Sequence, residues 1–226
     1  MKNNELPYQA FVFDMDGTIV DTILDMKDAV NYALAKFHYP LRTREQYISY
    51  VGNGSVKLVQ RALGEGNQEH FQEVFDCYYQ YYHEHYLDKT KPYPYLKETL
   101  QKVKDMGIKL FVYTNKPEKI AEEVASACFG EGFFDCLIGI PLGGVIKPDP
   151  KAFIEKTKPF GFSYDREAYF GDSGTDLETA FNIGIPNRYS VTWGYKTREF
   201  LSSYKIQPTA LLGDPREILL VAEGKR

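Results

Sequence analysis

In the stretch QAFVFDMDGTIVDT, residues 9–22, two carboxylates stand two apart at the end of an apolar run. Phe11, Val12 and Phe13 read as a buried strand; Asp14 and Asp16 follow at once, with Gly17 and Thr18 behind them. A second acidic pair stands in FGDSGTDLETA: Asp172 directly after another short apolar run, and Asp176 four residues on. Carboxylates brought together repel unless a cation neutralises them. A set of oxygen donors without histidine or cysteine suits Mg²⁺, which keeps several waters and binds through substrate phosphate. The neighbouring polar groups are donors: Thr114 and Asn115 close LFVYTN, and Lys147 stands in the loop GGVIKPDP. A pocket holding Mg²⁺, an ammonium and hydroxyl and amide donors is suited to a phosphoryl group. Each piece also has an ordinary reading by itself. One acid can cap a turn, Asp172, Ser173 or Thr175 can cap a helix with Asp176 at its positive end, and a lone lysine is commonly a surface lysine. Two acidic pairs and a lysine, all placed after strands of one sheet, ask for a common explanation.

The elements that must position these groups are legible from periodicity. From residue 93 onward, strands alternate with helices. PYLKETLQKVKDMG carries Leu96, Leu100, Val103 and Met106 at helical spacing before Gly107. IKLFVYTN, CLIGI, EAYFG, YSVTW and TALLG read as strands. Helices are expected between them, with Pro117 and Pro150 at first helical positions and Asp149 as a cap. This alternation predicts a parallel sheet covered on both faces. Residues 20–92 differ, with helical periodicity and little strand. One face carries Ile23, Met26, Val30 and Leu34; a second, Val56, Val59 and Leu63; a third, Phe71, Phe75, Tyr78 and Tyr82. The tyrosines at 78, 79, 81 and 82 read as aromatic knobs between helices rather than a ligand wall. The fold class expected is α/β, a Rossmann-like parallel core of residues 1–19 and 93–226 with an inserted all-helical cap of residues 20–92. Ligands of such sheets bind at the strand C-termini, so the insert would sit over that crevice as a lid.

The chain of 226 residues is long enough for a sizeable core, and its net charge of −4 argues against nucleic-acid binding. MKNNELPYQAFVFD has too short an apolar stretch for a signal peptide, and no apolar run reaches the length of a membrane span. Cys77, Cys128 and Cys136 have no metal spacing and read as reduced, mostly buried small hydrophobes, which points to the cytoplasm. The ends MKNNELPYQ and GKR read as frayed. Oligomeric state is left open by the sequence.

These motifs together resemble the haloacid dehalogenase superfamily, and within it the phosphoglycolate-phosphatase-like members with a helical cap. DMDGTIVDT matches the D-x-D-G-T motif, Thr114–Asn115 the threonine or serine that closes the second core strand, IKPDP the lysine motif and GDSGTD the acidic motif, in family order and across nearly the whole chain. FNIGIP and VTWGYKTREFL are similar to that subgroup too. The resemblance implies roles. Asp14 would be the nucleophile, forming an aspartyl-phosphate, and Asp16 the general acid and then base. Thr114 would bind a phosphoryl oxygen, with Asn115 a further donor, and Lys147 would offset charge on nucleophile and phosphate. Gly17 and Thr18 would shape the turn that presents backbone N–H groups to phosphate. Mg²⁺ would be held by Asp14, the backbone carbonyl of Asp16 and Asp172, with Asp176 supporting them.

Within the superfamily, an acid at position 16 favours phosphate-ester hydrolysis or phosphotransfer over dehalogenation, because a halide leaves without a proton. The cap segment YVGNGSVKLVQRAL is the expected specificity element: Gly52 and Gly54 permit a tight loop, and Arg61 on the following helix reads either as a contact for a substrate carboxylate or as a solvated arginine beside an acidic partner. The partner expected is a small phosphorylated metabolite, 2-phosphoglycolate first. The alternatives are a sugar-phosphate mutase of the β-phosphoglucomutase type, a pyrophosphatase and a non-catalytic phosphate-binding relative.

Overall fold

The computed structural model describes residues 6–141 and 144–226. Part of the N-terminal stretch read as frayed, residues 1–5, and Gly143 of the lysine loop lie outside them. The chain opens with β1 (Ala10–Phe13) and a short β2 (Val20–Asp21), followed by α1 (Ile23–Lys36), α2 (Arg44–Tyr50), α3 (Gly54–Leu63) and α4 (Phe71–His85). It returns through β3 (Lys91–Pro92), α5 (Leu96–Asp105), β4 (Lys109–Pro117), α6 (Glu118–Phe129), β5 (Cys136–Ile140) and α7 (Lys151–Thr157). The last third alternates β6 (Glu167–Gly171), α8 (Gly174–Ile183), β7 (Asn187–Val191), α9 (Arg198–Ser202), β8 (Ala210–Leu212) and α10 (Glu217–Ala222).

Six strands form one sheet in the order β5-β4-β1-β6-β7-β8, and every pairing in it is parallel. β1 is central because both its faces are apolar. Phe11 and Phe13 enter one core with Phe170 and Tyr189, while Ala10 and Val12 enter the other with Phe111 and Tyr169. Side chains alternate between the two faces of a strand, so four consecutive apolar residues make a strand that is stable only when covered on both sides. Phe170 packs at 4.9 Å from Phe11 and 4.8 Å from Phe13 between ring centroids, tying β1 to β6.

The helical insert leaves and re-enters beside β1. Its two crossings pair with one another, Val20 against Pro92 and Asp21 against Lys91, an antiparallel contact that the helical periodicity of this section did not signal. Asp25, buried in the first turn of α1, accepts the N–H groups of Lys89 and Thr90 and so fastens the return crossing to α1. The expected faces of α1 and α4 are found with small changes: Phe71 and Phe75 are only partly buried, and Val74 joins Tyr78 and Tyr82. On α3 the expectation for Val56 is wrong; it is 45% exposed, and Leu58 and Ala62 join Val59 and Leu63 instead. Pro117 and Pro150 precede their helices by one residue, and Asp149 accepts the N–H of Lys151. The described parts of the stretches read as frayed are held: Gln9 bonds both Arg166 and Ser163, and the Arg226 carbonyl accepts from Tyr189. The three cysteines are free and half-buried. Among the described residues, no helix is long and apolar enough to cross a membrane.

The packing at β1 carries a direct expectation. Phe11→Ala removes a fully buried ring and should cost about 3–5 kcal/mol. In a chain of this size that lowers Tm by on the order of 10 °C, and a thermal melt shifted by less than about 2 °C would contradict the packing described.

Candidate active site

Register brings the motifs together. Phe13 of β1 lies level with Val112 of β4 and Phe170 of β6, so the next residues on each strand, Asp14, Tyr113 and Gly171, end at one height. The strand order also reverses beside β1: the chain goes from β1 to β4 and β5 on one side, then to β6, β7 and β8 on the other. Loops diverge at such a point and leave a crevice above the strand ends. Asp14, Thr114, Asn115 and Asp172 all line it, with Lys147 and Asp176 delivered by the following loop and helix.

Lys147 is the electrostatic centre. It is 2% exposed, and its ammonium donates to Asp14 Oδ1 at 2.6 Å, Asp176 Oδ1 at 2.7 Å and the Tyr113 carbonyl at 3.0 Å. Asn115 holds its backbone, accepting the Lys147 N–H at Oδ1 from 2.7 Å. Burial works to lower the Lys147 pKa, but Asp14 and Asp176 outweigh it and hold the ammonium charged. Burial is the main cause that pushes Asp14 up to about 7, opposed by Lys147 and reinforced by Asp176. Asp172 is driven up as well, by burial first and then by Asp176 and Asp14, although the Tyr195 N–H donates to its Oδ2 at 2.6 Å.

Asp14, Asp172 and Asp176 each offer a carboxylate oxygen, all within 4.8 Å of one another. All three acids are buried, only Asp14 and Asp176 pair with Lys147, and oxygen donors of this kind fit a hard divalent cation. Asp176 is oriented by Ser173, whose N–H and hydroxyl both donate to its Oδ2, so it caps α8 while facing the cluster. The sequence allowed capping or ligation there; the same carboxylate is placed for both.

Asp16 stands apart from the three clustered acids. Its Oδ1 accepts from Thr22 Oγ1 at 2.8 Å and from the Lys116 ammonium at 2.9 Å. Lys116 is 4% exposed and also donates to the Tyr82 hydroxyl of α4 at 2.9 Å. Sequence reasoning passed over Lys116, although it follows Thr114 and Asn115 at the end of a buried strand and so met the rule that singled out Lys147. Tyr78 and Tyr82 line the crevice, so two of the four tyrosines read as knobs do face it. Tyr195 was also missed. Its hydroxyl accepts the Thr22 N–H at 3.0 Å and donates to Asp21, joining the first crossing to the residue that grips Asp172.

The turn after Asp14 explains its glycine. Gly17 has φ +89°, and a Cβ there would stand 2.4 Å from Asp172 Oδ2. The turn's own bonds use the N–H groups of Gly17, Thr18, Ile19 and Val20, and those of Met15 and Asp16 take no part in them. Gly17 and Thr18 therefore shape the turn without lining the crevice, and the Thr18 hydroxyl is buried with no partner among the described residues.

The insert roofs the crevice. Met26, Leu58, Tyr78 and Tyr82 line it from the helices. Further polar ties cross the seam beside the Lys116–Tyr82 bond, among them Asn115 Nδ2 donating to the Gly52 carbonyl at 3.0 Å and Lys196 Nζ to the Ile48 carbonyl at 2.8 Å. Gly52 thus lines the crevice. Arg61 does not line it; its guanidinium donates to the Tyr50 carbonyl and Asn53 Oδ1 and staples the loop between α2 and α3. The reach to a substrate carboxylate expected of Arg61 is spent on that loop.

Comparison with known proteins agrees with this architecture. A phosphoglycolate phosphatase of Haemophilus influenzae (strain 86-028NP) is 31% identical over 191 residues, covering 81% of this chain and 85% of that protein. The crystal structure of a protein from Lactobacillus delbrueckii subsp. bulgaricus superposes with a TM-score of 0.89 at 29% identity, over 96% of this chain and 99% of that one. That of a predicted phosphoglycolate phosphatase from Haemophilus somnus gives 0.85 at 28%, over 95% and 98%. The family model for haloacid dehalogenase-like hydrolases matches residues 11–188, a span that holds both acidic pairs, Lys147 and the whole helical insert, and the chain belongs to that family.

Proposed function

We propose that the chain is a Mg²⁺-dependent phosphomonoester hydrolase that works through an aspartyl-phosphate on Asp14, with residues 20–92 as cap over a core of residues 1–19 and 93–226. The observation that carries this reading is the buried constellation of Asp14, Asp172 and Asp176 around Lys147, with Asp16 separately held beside it.

In the first half-reaction, an Asp14 carboxylate oxygen attacks phosphorus as the bond from phosphorus to the leaving oxygen breaks, and Asp16 gives that oxygen its proton. In the second, Asp16 takes a proton from water, the water oxygen bonds to phosphorus, and Asp14 leaves as carboxylate with release of phosphate. Lys147 keeps Asp14 in line and balances the phosphoryl charge. Thr114 and the N–H groups of Met15 and Asp16 receive phosphoryl oxygens. Asp14, Asp172 and the backbone carbonyl of Asp16 would hold Mg²⁺, supported by Asp176, and the ion would offset charge on the transferring group.

The substrate we favour is 2-phosphoglycolate. The Haemophilus influenzae relative carries that activity in its name.

Phosphate release from 2-phosphoglycolate and a panel of small phosphomonoesters is expected to require Mg²⁺ and to stop with chelator. No Mg²⁺-dependent release from the panel or from an aryl phosphate would remove the hydrolase reading. Asp14→Asn should lower turnover by at least about 10³-fold with an unchanged circular dichroism spectrum; activity near the parent level would take the nucleophile's role from Asp14.

The raised acids also set a pH dependence. Folded, Asp14 titrates about 7 against 3.8 unfolded, so between these values the folded state holds the extra proton. Metal-free protein should therefore lose stability as pH rises from about 4 to 7, and Mg²⁺ should raise Tm more at pH 7.5 than at pH 5. An equal Mg²⁺ effect at both pH values would contradict this.

A further inference from the structure

Asp16 is held by two donors, and both act on the same oxygen. Thr22 Oγ1 and Lys116 Nζ donate to Oδ1, and no hydrogen bond among the described residues engages Oδ2. These donors engage Oδ1 and leave Oδ2 as the oxygen without a hydrogen-bond partner among the described residues.

The two partners of the Lys116 ammonium come from different parts of the fold. Asp16 lies in the turn after β1, and Tyr82 lies on α4 of the helical insert. A lysine that only finished β4 would be satisfied by nearby backbone carbonyls or would reach solvent. This one is 4% exposed on the wall of the crevice, and its backbone N–H is fixed by Thr114 Oγ1 at 3.2 Å. The ammonium stands 5.4 Å from the centre of the Tyr82 ring, so the phenol also limits its movement. Tyr82 packs in turn on Tyr78, with ring centroids 5.5 Å apart.

We propose that Lys116 is a positioning residue for the proton transfer: braced by Tyr82 of the insert, it pins Oδ1 of Asp16 so that Oδ2 alone exchanges a proton with the leaving oxygen and then with water. The inference rests on the acid–base reading of Asp16. It adds that the brace is completed only when α4 lies against the core, which makes acid catalysis contingent on the position of the insert. The proton leaves Oδ2 as the phosphorus–oxygen bond of the substrate breaks. It is replaced by a proton from the water whose oxygen bonds to phosphorus.

The test exploits the leaving group. A nitrophenolate leaves without a proton, whereas an alkoxide needs one. Steady-state kinetics on 4-nitrophenyl phosphate and on 2-phosphoglycolate are compared for the parent protein, Lys116→Met, Tyr82→Phe and Asp16→Asn. Lys116→Met is expected to lose on the order of 100-fold in kcat on the alkyl ester and less than about tenfold on the nitrophenyl ester. Tyr82→Phe keeps the ring and should show the same selectivity at roughly tenfold. Equal losses on both esters for Lys116→Met, or no loss, would overturn the proposal. If that variant does not fold, Tyr82→Phe decides, and equal losses or none there would overturn it too. Asp16→Asn separates the two readings. Selectivity in Asp16→Asn without selectivity in Lys116→Met defeats the role of Lys116 alone; no selectivity in Asp16→Asn defeats the acid–base reading and the inference with it.

Discussion

The structure depends on a buried ammonium. Lys147 has almost no contact with solvent, and it stands between Asp14 and Asp176 at hydrogen-bonding distance from both. A carboxylate taken out of water without a partner titrates to its neutral form, and a buried lysine without one loses its proton. Here the two acids hold the Lys147 ammonium charged, and the ammonium in turn opposes the rise that burial imposes on Asp14. The arrangement holds only if β1, the lysine loop and the start of α8 meet at one point, so the sheet order and the Asn115 bond to the Lys147 backbone are conditions for the chemistry. Breaking such a pair by removing one partner is far more damaging than replacing the whole set, which ties the stability of this end of the sheet to its charge balance.

The same economy appears on the other side of Asp14. Asp16 and Lys116 form a second buried pair, shared with a tyrosine of the insert, while Tyr195 joins the first crossing to Asp172. The crevice is thus walled by ion pairs of the core, one of which is tied to the insert through the Tyr82 hydroxyl. Polar ties across that seam are directional, the kind of contact that can be made and released as a lid moves.

Much of this was legible beforehand because it rests on local signals. Four apolar residues followed by an acid define a buried strand and its end, and alternating strands and helices define a parallel sheet. Asp14, Asp172, Asp176 and Lys147 were found for that reason: each follows a strand or its loop. What was hidden depends on long-range placement. Tyr78 and Tyr82 have ordinary core periodicity on α4, and nothing local distinguishes a tyrosine that faces a helix from one that faces a cavity. Arg61 failed in the opposite direction. Its position on α3 is as expected, but the carbonyl of Tyr50 and the amide of Asn53 lie nearer than the crevice and take its hydrogen bonds. Lys116 was readable by the rule that found Lys147. The pairing of β2 with β3 was not, because two-residue strands carry no periodicity.

The central claim is that Asp14 carries the phosphoryl group covalently. The most direct test uses Asp16→Ala with an aryl phosphate, whose leaving group departs unaided while the base needed for the second step is missing. After a single turnover quenched in acid, mass spectrometry of the digested protein should find one phosphoryl group on the peptide containing Asp14. A phosphoryl group on another residue, or free phosphate formed at the rate of aryl release with no labelled protein, would contradict the account.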